Sequence, residues 1–299
     1  MLEIIERLLQ RGNQRTEADI QSDVRQLILT APFELEDAQV VNLEAQVGDR
    51  RRIDIEVGCT VIEVKRDLRR GRVKAEAAVQ LTGYVATRRE QTAQRYVGVL
   101  TDGVEWTCYD LQGGELRPVA NFTLSASGDA DRLVVWLEGV LATTHAIHPT
   151  SEAIATRLGA GSSAYALDRA TLAAIYATHR NEPTVQMKRQ LWSRLLTSAL
   201  GTQFEDTDEL FIEHTLLVNS AEIIAHAVLG LAVETIPPAS LLSGQRFDES
   251  GIYGVVEPDF FDWIVEVEGG EAFVRTLARR LAPARTPASG LANITLPTG

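Results

Sequence analysis

Apolar residues recur at Ile20, Val24, Leu27 and Ile28, with Thr16 and Asp19 three apart ahead of them. That spacing predicts a helix over 16–29 entered through a capping box, with Glu17 at the head of its inward stripe. After a loop near 31–36 the pattern changes to period two. Ile53 to Val57 alternates strictly, Gly58 supplies a turn, and Val61 to Lys65 forms a second strand, so the segment reads as a hairpin. A helical pattern returns over about 72–87, where Val73, Ala77, Gln80 and Tyr84 share a face. Strands follow at 96–100 and 104–109 around Thr101-Asp102-Gly103, and an amphipathic helix at 129–141 closes the unit. The expected order is α, β, β, α, β, β and a final helix.

Beyond residue 143 the character shifts. The stretch 143–150, which contains His148-Pro149, reads as a linker, and 151–159, 166–180, 183–200 and 207–231 all carry helical periodicity. Pro183 fits a first-turn position and Gly201 a C-terminal stop. Pro237-Pro238 and Ser243-Gly244 interrupt this half, 258–267 and 271–281 resume it, and 283–299 is rich in Pro, Gly and Thr. The domain expectation is therefore an α/β unit at 1–145, an all-α unit at 150–282 and a flexible tail at 283–299.

Composition refines this picture without redirecting it. With 299 residues, 45% of them hydrophobic, the chain can bury a substantial core. Its lack of any apolar run near 18 residues argues against a membrane span, and the amphipathic start at 1–10 argues against a secretion signal. A cytoplasmic location is expected, and Cys59 and Cys108, each within a strand-like stretch, are expected as buried thiols. The net charge of −12 conceals an asymmetry: residues 50–95 hold twelve Lys or Arg against six Asp or Glu, whereas 201–299 hold five against fifteen. A basic block inside an acidic chain points to a local nucleic-acid footprint, with Arg50, Arg52, Arg66 and Arg69 as candidates for phosphate contact.

The candidate chemistry lies in the hairpin. Period two places Val61, Glu63 and Lys65 on one face of their strand, and the turn carries Asp54 of the partner strand toward Glu63. Two carboxylates beside an ammonium repel unless a cation sits between them, and Mg²⁺ takes hard oxygen ligands while keeping several waters. Such an arrangement suits phosphodiester hydrolysis, with Lys65 orienting or deprotonating the attacking water or balancing charge on the phosphate.

At these residues the chain resembles the PD-(D/E)xK nuclease superfamily, Asp54 matching its first acid and Glu63-Val64-Lys65 its E-x-K strand, with Ile53 where the family has proline. Gln80 and Tyr84 resemble the Q-x-x-x-Y motif of RecB-like and type I restriction nucleases, and Glu17 the extra acid of their first helix. The resemblance implies a restriction-endonuclease-like α/β fold, a mixed central sheet flanked by helices. It further implies catalysis by Asp54, Glu63, Lys65, Gln80 and Glu17, and Mg²⁺ (Mn²⁺ substituting) on Asp54, Glu63 and the Val64 carbonyl. Tyr84 joins the arginines in contacting double-stranded DNA. The stretch 98–106 is similar to the segment that follows this core in type I and fused restriction-modification proteins. Trp192 to Leu196, Glu209 to Thr215 and Glu257 to Trp263 are similar to the helical connector of type IIG-like enzymes, which implies an adenine methyltransferase domain or subunit as partner, and an oligomer as an option. Read without the resemblance, those aromatics are core.

The chain has neither an Asn- or Asp-Pro-Pro-aromatic tetrapeptide nor a phosphate loop with its lysine, Gly159-Ala160-Gly161-Ser162 being the nearest approach. It therefore looks like an N-terminal fragment or a separated subunit, and its five histidines form no motif. The leading expectation is a Mg²⁺-dependent DNA endonuclease module of a restriction-modification or phage-defence system. The alternatives are a catalytically silent DNA-binding or docking adaptor for a methyltransferase, and a RecB-like repair nuclease.

Overall fold

The computed structural model describes residues 1–10, 15–33, 41–47, 51–92, 94–141, 151–200, 204–243, 245–249, 251–253 and 260–282. The protein is mixed α/β and forms two compact units, Met1–His145 with Ala155–Leu167, and Ala146–Ile154 with Asp168–Gly299.

In the first unit, α1 (Leu2–Leu9) and α2 (Glu17–Thr30) precede β1 (Val41–Val47), β2 (Arg51–Val57) and β3 (Thr60–Val64); α3 (Val73–Thr92) then leads to β4 (Val97–Thr101), β5 (Glu105–Gln112), β6 (Glu115–Thr123) and α4 (Ala130–Leu141). The six strands lie in sequence order across one sheet. Neighbours are antiparallel except β3 and β4, which run parallel because α3 carries the chain back to the starting edge between them. The capping box opens α2 as its sequence predicts: Asp19 N–H donates to Thr16 Oγ1 at 3.2 Å while Thr16 N–H donates to Asp19 Oδ2 at 2.7 Å.

The expected strand order was short by two. β1 pairs along β2 from Val41↔Val57 to Val47↔Arg51, and β6 pairs along β5 at the opposite edge. β6 contains Pro118, which has no N–H to donate, and an edge strand tolerates that because only one of its sides is bonded. The amphipathic start of the chain is itself a helix, α1, fastened to α2 where Arg7 Nε donates to Asp23 Oδ1 at 2.8 Å.

Two apolar layers sandwich the sheet. Ile55, Val57, Ile62, Val64, Val97 and Val99 pack with α1, α2 and α4 on one side. On the other, Val61, Leu100 and Tyr109 pack with Ala77, Leu81, Tyr84 and Val85 of α3. Gly98 lets α3 approach β4 this closely: a Cβ there would lie 2.8 Å from Leu81 Cγ, well inside contact distance. The hairpin turn is Gly58-Cys59, with Gly58 at φ +53°. Cys59 therefore lies in the turn at intermediate exposure, not in a strand, and Cys108 alone is buried as expected.

The expected linker at 143–150 lies outside the described residues, and the segment Ala155–Leu167 belongs to the first unit instead of opening the helical one. The contacts explain why: Arg157 Nε donates to buried Glu138 at 3.0 Å, and Ser163 Oγ donates to the Trp136 carbonyl at 2.7 Å. The tail expected at 283–299, and Gly201, also lie outside the described residues.

The second unit is helical among its described residues. It contains the first part of α5 (Ser151–Leu158) and the latter part of α6 (Ser163–His179), then α7 (Pro183–Leu200), α8 (Asp208–Val228), the short α9 (Pro238–Leu241) and α10 (Gln245–Glu249), a 3₁₀ turn at Phe261–Glu266, and α11 (Gly270–Leu281). Pro183 opens α7. The aromatics of the connector-like stretches form its core, as their helical spacing predicts. Trp192, Trp263 and Tyr176 lie 5.2, 6.2 and 5.7 Å from Phe211 between ring centroids. Both buried indole N–H groups are satisfied, Trp263 by Thr215 and Trp192 by His214, each at 3.2 Å.

Candidate metal centre

The site forms where β2 parts from β3. Their paired register runs from Val57↔Thr60 to Ile55↔Ile62 and stops. One rung farther, Val64 N–H donates not to a strand carbonyl but to Asp54 Oδ2, at 2.8 Å. The apolar alternation breaks at the same place, since Ile53 packs with the α3 layer while Ile55 and Val57 pack with the opposite one. The kink turns the Asp54 carboxylate to the open edge of β3, where Glu63 and Lys65 are carried by that strand's own alternation.

Glu63 is the unusual member. It is 1% exposed; its Oε1 accepts from Lys65 Nζ at 2.6 Å, and its Oε2 is buried with no hydrogen-bond partner. Burial, and then the nearby Asp54 charge, raise its carboxyl from the ordinary 4.5 to about 7, against the pull of Lys65. Burial alone would lower the Lys65 ammonium, but the Glu63 hydrogen bond and the charges of Glu63, Glu17 and Asp54 outweigh it and raise its pKa. Lys65 is consequently a held cation.

Glu17 reaches the same locality. It stands half exposed at the first turn of α2; its Oε2 accepts the Arg66 N–H at 3.2 Å and its Oε1 lies 3.5 Å from Lys65 Nζ. Its carboxylate is thus turned toward the end of β3 and the amine. Asp54, Glu63 and Glu17 against Lys65 leave two negative charges when all are ionised.

Gln80 and Tyr84 meet each other: Gln80 Nε2 donates to the Tyr84 hydroxyl at 2.8 Å. Tyr84 is 2% exposed and packs with Ile53, Val61 and Leu100, so the ring expected to touch DNA is a core residue here. Its place on the apolar stripe with Ala77 and Leu81 is what buries it. Gln80, at intermediate exposure, is the half of the motif nearer the surface.

The basic block is less available than its count implies. Arg69 is bonded to Asp67 through two nitrogens at 3.0 and 3.2 Å, and Arg69's hydrogen bond holds the Asp67 carboxyl down at about 2. Arg88 pairs with buried Glu56 at 2.7 Å, and Arg89 and Arg95 with buried Asp110 at 3.0 and 3.1 Å. Arg66, Arg72 and Lys74 are exposed, and Arg66 follows Lys65 in the chain. Arg50 lies outside the described residues; Arg52 is placed on β2, with its side chain outside them.

No known protein family, curated protein or solved structure matches the chain. The geometry therefore carries the functional argument alone. Among the described residues no group of three or more His, Cys, Asp or Glu side chains could hold a metal ion, so a cation here would rest on two carboxylates, a peptide carbonyl and water. The donor set fits a small hard cation: Glu63 Oε2 lacks any partner, and the charge surplus is two.

One residue of the site escaped the sequence reading. Gln21, one turn beyond Glu17 on α2, donates through Nε2 to Asp54 Oδ1 at 3.2 Å. The spacing of four from Glu17 was the available signal. No helix among the described residues is long and apolar enough to cross a membrane.

Proposed function

We propose that the first unit is a Mg²⁺-dependent DNA endonuclease module of the PD-(D/E)xK kind, serving a restriction-modification or phage-defence system. The observation that carries this reading is the buried, unpartnered Glu63 Oε2 beside Asp54 and Lys65, at the one place where β2 peels from β3. A folded chain retains an unsatisfied buried carboxylate oxygen at a cost of several kcal/mol unless something binds it, and a divalent cation is the ligand that two converging carboxylates select.

Asp54 and Glu63 would hold Mg²⁺ through one carboxylate each, with the Val64 carbonyl as a third oxygen. The bound ion supplies a polarised phosphate and a water of lowered pKa. The chain's own groups do the rest. Lys65, kept charged by Glu63 and Glu17, stabilises negative charge building on the scissile phosphate and orients the water. Glu17 braces the Arg66 peptide and, through it, the end of β3. Gln80, on the α3 side of the same sheet face, offers an amide to DNA, and Arg66, Arg72 and Lys74 supply nearby positive charge. Within this reading the second unit serves as a helical connector to an adenine methyltransferase domain or subunit.

The test is cleavage of double-stranded DNA by the full chain with Mg²⁺ or Mn²⁺, alone and with its candidate methyltransferase partner, comparing wild type with Lys65→Ala. Metal-dependent cutting lost in the variant is the expected result. Metal-independent DNA binding unaffected by Lys65→Ala, with no cutting under any condition, would establish the adaptor instead.

A further inference from the structure

Asp54 is the only candidate ligand whose two oxygens each accept a described hydrogen bond from a different element. Oδ2 takes the Val64 N–H of β3 at 2.8 Å, and Oδ1 takes the Gln21 side-chain amide of α2 at 3.2 Å. β2 stays paired with β1 on either side of Asp54, but it has parted from β3 at this point, so no backbone pairing ties Asp54 to the strand that carries Glu63. Two donors on rigid elements replace it. Each carboxylate oxygen carries two lone pairs, so accepting one hydrogen bond leaves ligation possible while restricting rotation about the Cβ–Cγ bond.

We infer that Gln21 is a positioning residue for the metal centre: its amide sets the plane of the Asp54 carboxylate so that it and Glu63 Oε2 converge on one cation. This deepens the nuclease reading and rests on it. α2 is suited to the task because its apolar stripe, Ile20, Val24, Leu27 and Ile28, is locked into the core, which leaves the Glu17–Gln21 edge little freedom. From that edge Glu17 reaches the end of β3 and Gln21 reaches β2, so a single helical turn spans the gap between the parted strands. A neutral amide is the suitable donor. A Lys or Arg at this place would bind Asp54 more strongly but would compete with the cation for it, whereas an amide orients the carboxylate and leaves its charge intact. Outer-shell partners of metal ligands characteristically govern affinity by roughly 10- to 100-fold.

The experiment measures Mn²⁺ binding to the DNA-free full chain by electron paramagnetic resonance, together with the Mg²⁺ dependence of DNA cleavage, for wild type, Gln21→Met, Gln21→Ala and Asp54→Asn. Methionine keeps the length and helix propensity of glutamine without the donor, and urea unfolding checks that both Gln21 variants remain folded. The expected result is Mn²⁺ affinity lower by roughly 10-fold in both Gln21 variants. The Mg²⁺ needed for half-maximal cleavage should rise in parallel, with much of the maximal rate recovered at saturating metal. Binding abolished by Asp54→Asn but unchanged by both Gln21 variants overturns the inference alone. A wild-type chain that takes up no Mn²⁺ overturns the nuclease reading and the inference with it. A loss of maximal rate without a change in affinity overturns it as well, since positioning of a ligand must register in binding.

Discussion

Glu63→Gln tests the electrostatics of the site independently of any cleavage assay, because the charge that would bind a cation weakens the protein when none is present. In the folded chain the carboxyl titrates near 7 against 4.5 ordinarily, displaced first by burial and then by Asp54. That displacement corresponds to about 3 kcal/mol acting against the ionised side chain. The sign follows from the raised pKa. Below the ordinary value the group is protonated in both folded and unfolded chains and costs nothing; as pH rises through about 7 the folded chain must ionise it in a buried place and stability falls. Glutamine is uncharged throughout. It gives up the ion pair with Lys65, so the net gain at alkaline pH is smaller, between about 1 and 3 kcal/mol. Urea unfolding in EDTA at about pH 8.5 should therefore show the variant more stable than wild type, with the difference shrinking toward zero at about pH 5. Mg²⁺ should offset most or all of that gain: at about 100 times its Kd a cation adds about 2.7 kcal/mol to the form that binds it, and only wild type retains both acids. A variant less stable than wild type at alkaline pH without metal, or a difference independent of pH, would refute the claim that Glu63 is held in an unfavourable charged state.

Lys65→Ala should lower cleavage by roughly 10²- to 10⁴-fold and, because it leaves buried Glu63 without the amine that pairs with its Oε1, should also lower the urea midpoint in EDTA at alkaline pH; single-turnover kinetics with saturating Mg²⁺ reads the first and unfolding the second. Gly98→Ala should destabilise the first unit by about 1–3 kcal/mol because the new methyl meets Leu81 at 2.8 Å, and a matched Leu81→Ala change in the same chain should recover part of it. His226 is fully buried, with Nδ1 at 2.7 Å from the Glu222 carbonyl and its ring 4.3 Å from Phe247, and burial depresses its pKa. Protons then favour the unfolded chain as pH falls below about 6.5, so the protection of α8 amides relative to their intrinsic exchange rates should fall toward acid pH, and His226→Gln should flatten that slope.

The hairpin, and the placing of Glu63 and Lys65 on one face, were legible because period two and a glycine turn are local signals, and that alternation is a property of β3 alone. The capping box of α2 was legible for the same reason. β6 was hidden by Pro118, which argues against a strand until the strand is known to be an edge, and that is a fact of sheet order, not of sequence. Tyr84 and Gln80 illustrate a different limit. The motif was visible, but whether the ring faces solvent or core depends on how closely Gly98 lets α3 settle onto β4. The departure of β2 from β3 at Asp54 left no trace in the residues. Gln21 could be suspected only as the neighbour of Glu17 one turn away, since its partner lies on another element.

Charge counting also needed the structure, and here the correction bears on mechanism. Read as a block, 50–95 is basic enough to attract a phosphate backbone unaided. In the folded unit, Lys65, Arg69, Arg88, Arg89 and Arg95 are each committed to a carboxylate. The centre itself carries two negative charges when its acids are ionised. A scissile phosphate approaching that centre without a cation would be repelled by Asp54 and Glu63 and attracted only by Lys65, whose charge Glu63 already offsets at 2.6 Å. On the proposed nuclease reading, productive engagement of DNA at this site would require the acids to be neutralised first, so metal occupancy would be a precondition for placing the phosphate and not merely for cutting it. The same argument separates the two readings of the fold: an adaptor that binds DNA without metal would have to do so away from Asp54 and Glu63, through Arg66, Arg72 and Lys74, and its affinity would be indifferent to Mg²⁺ beyond ordinary screening.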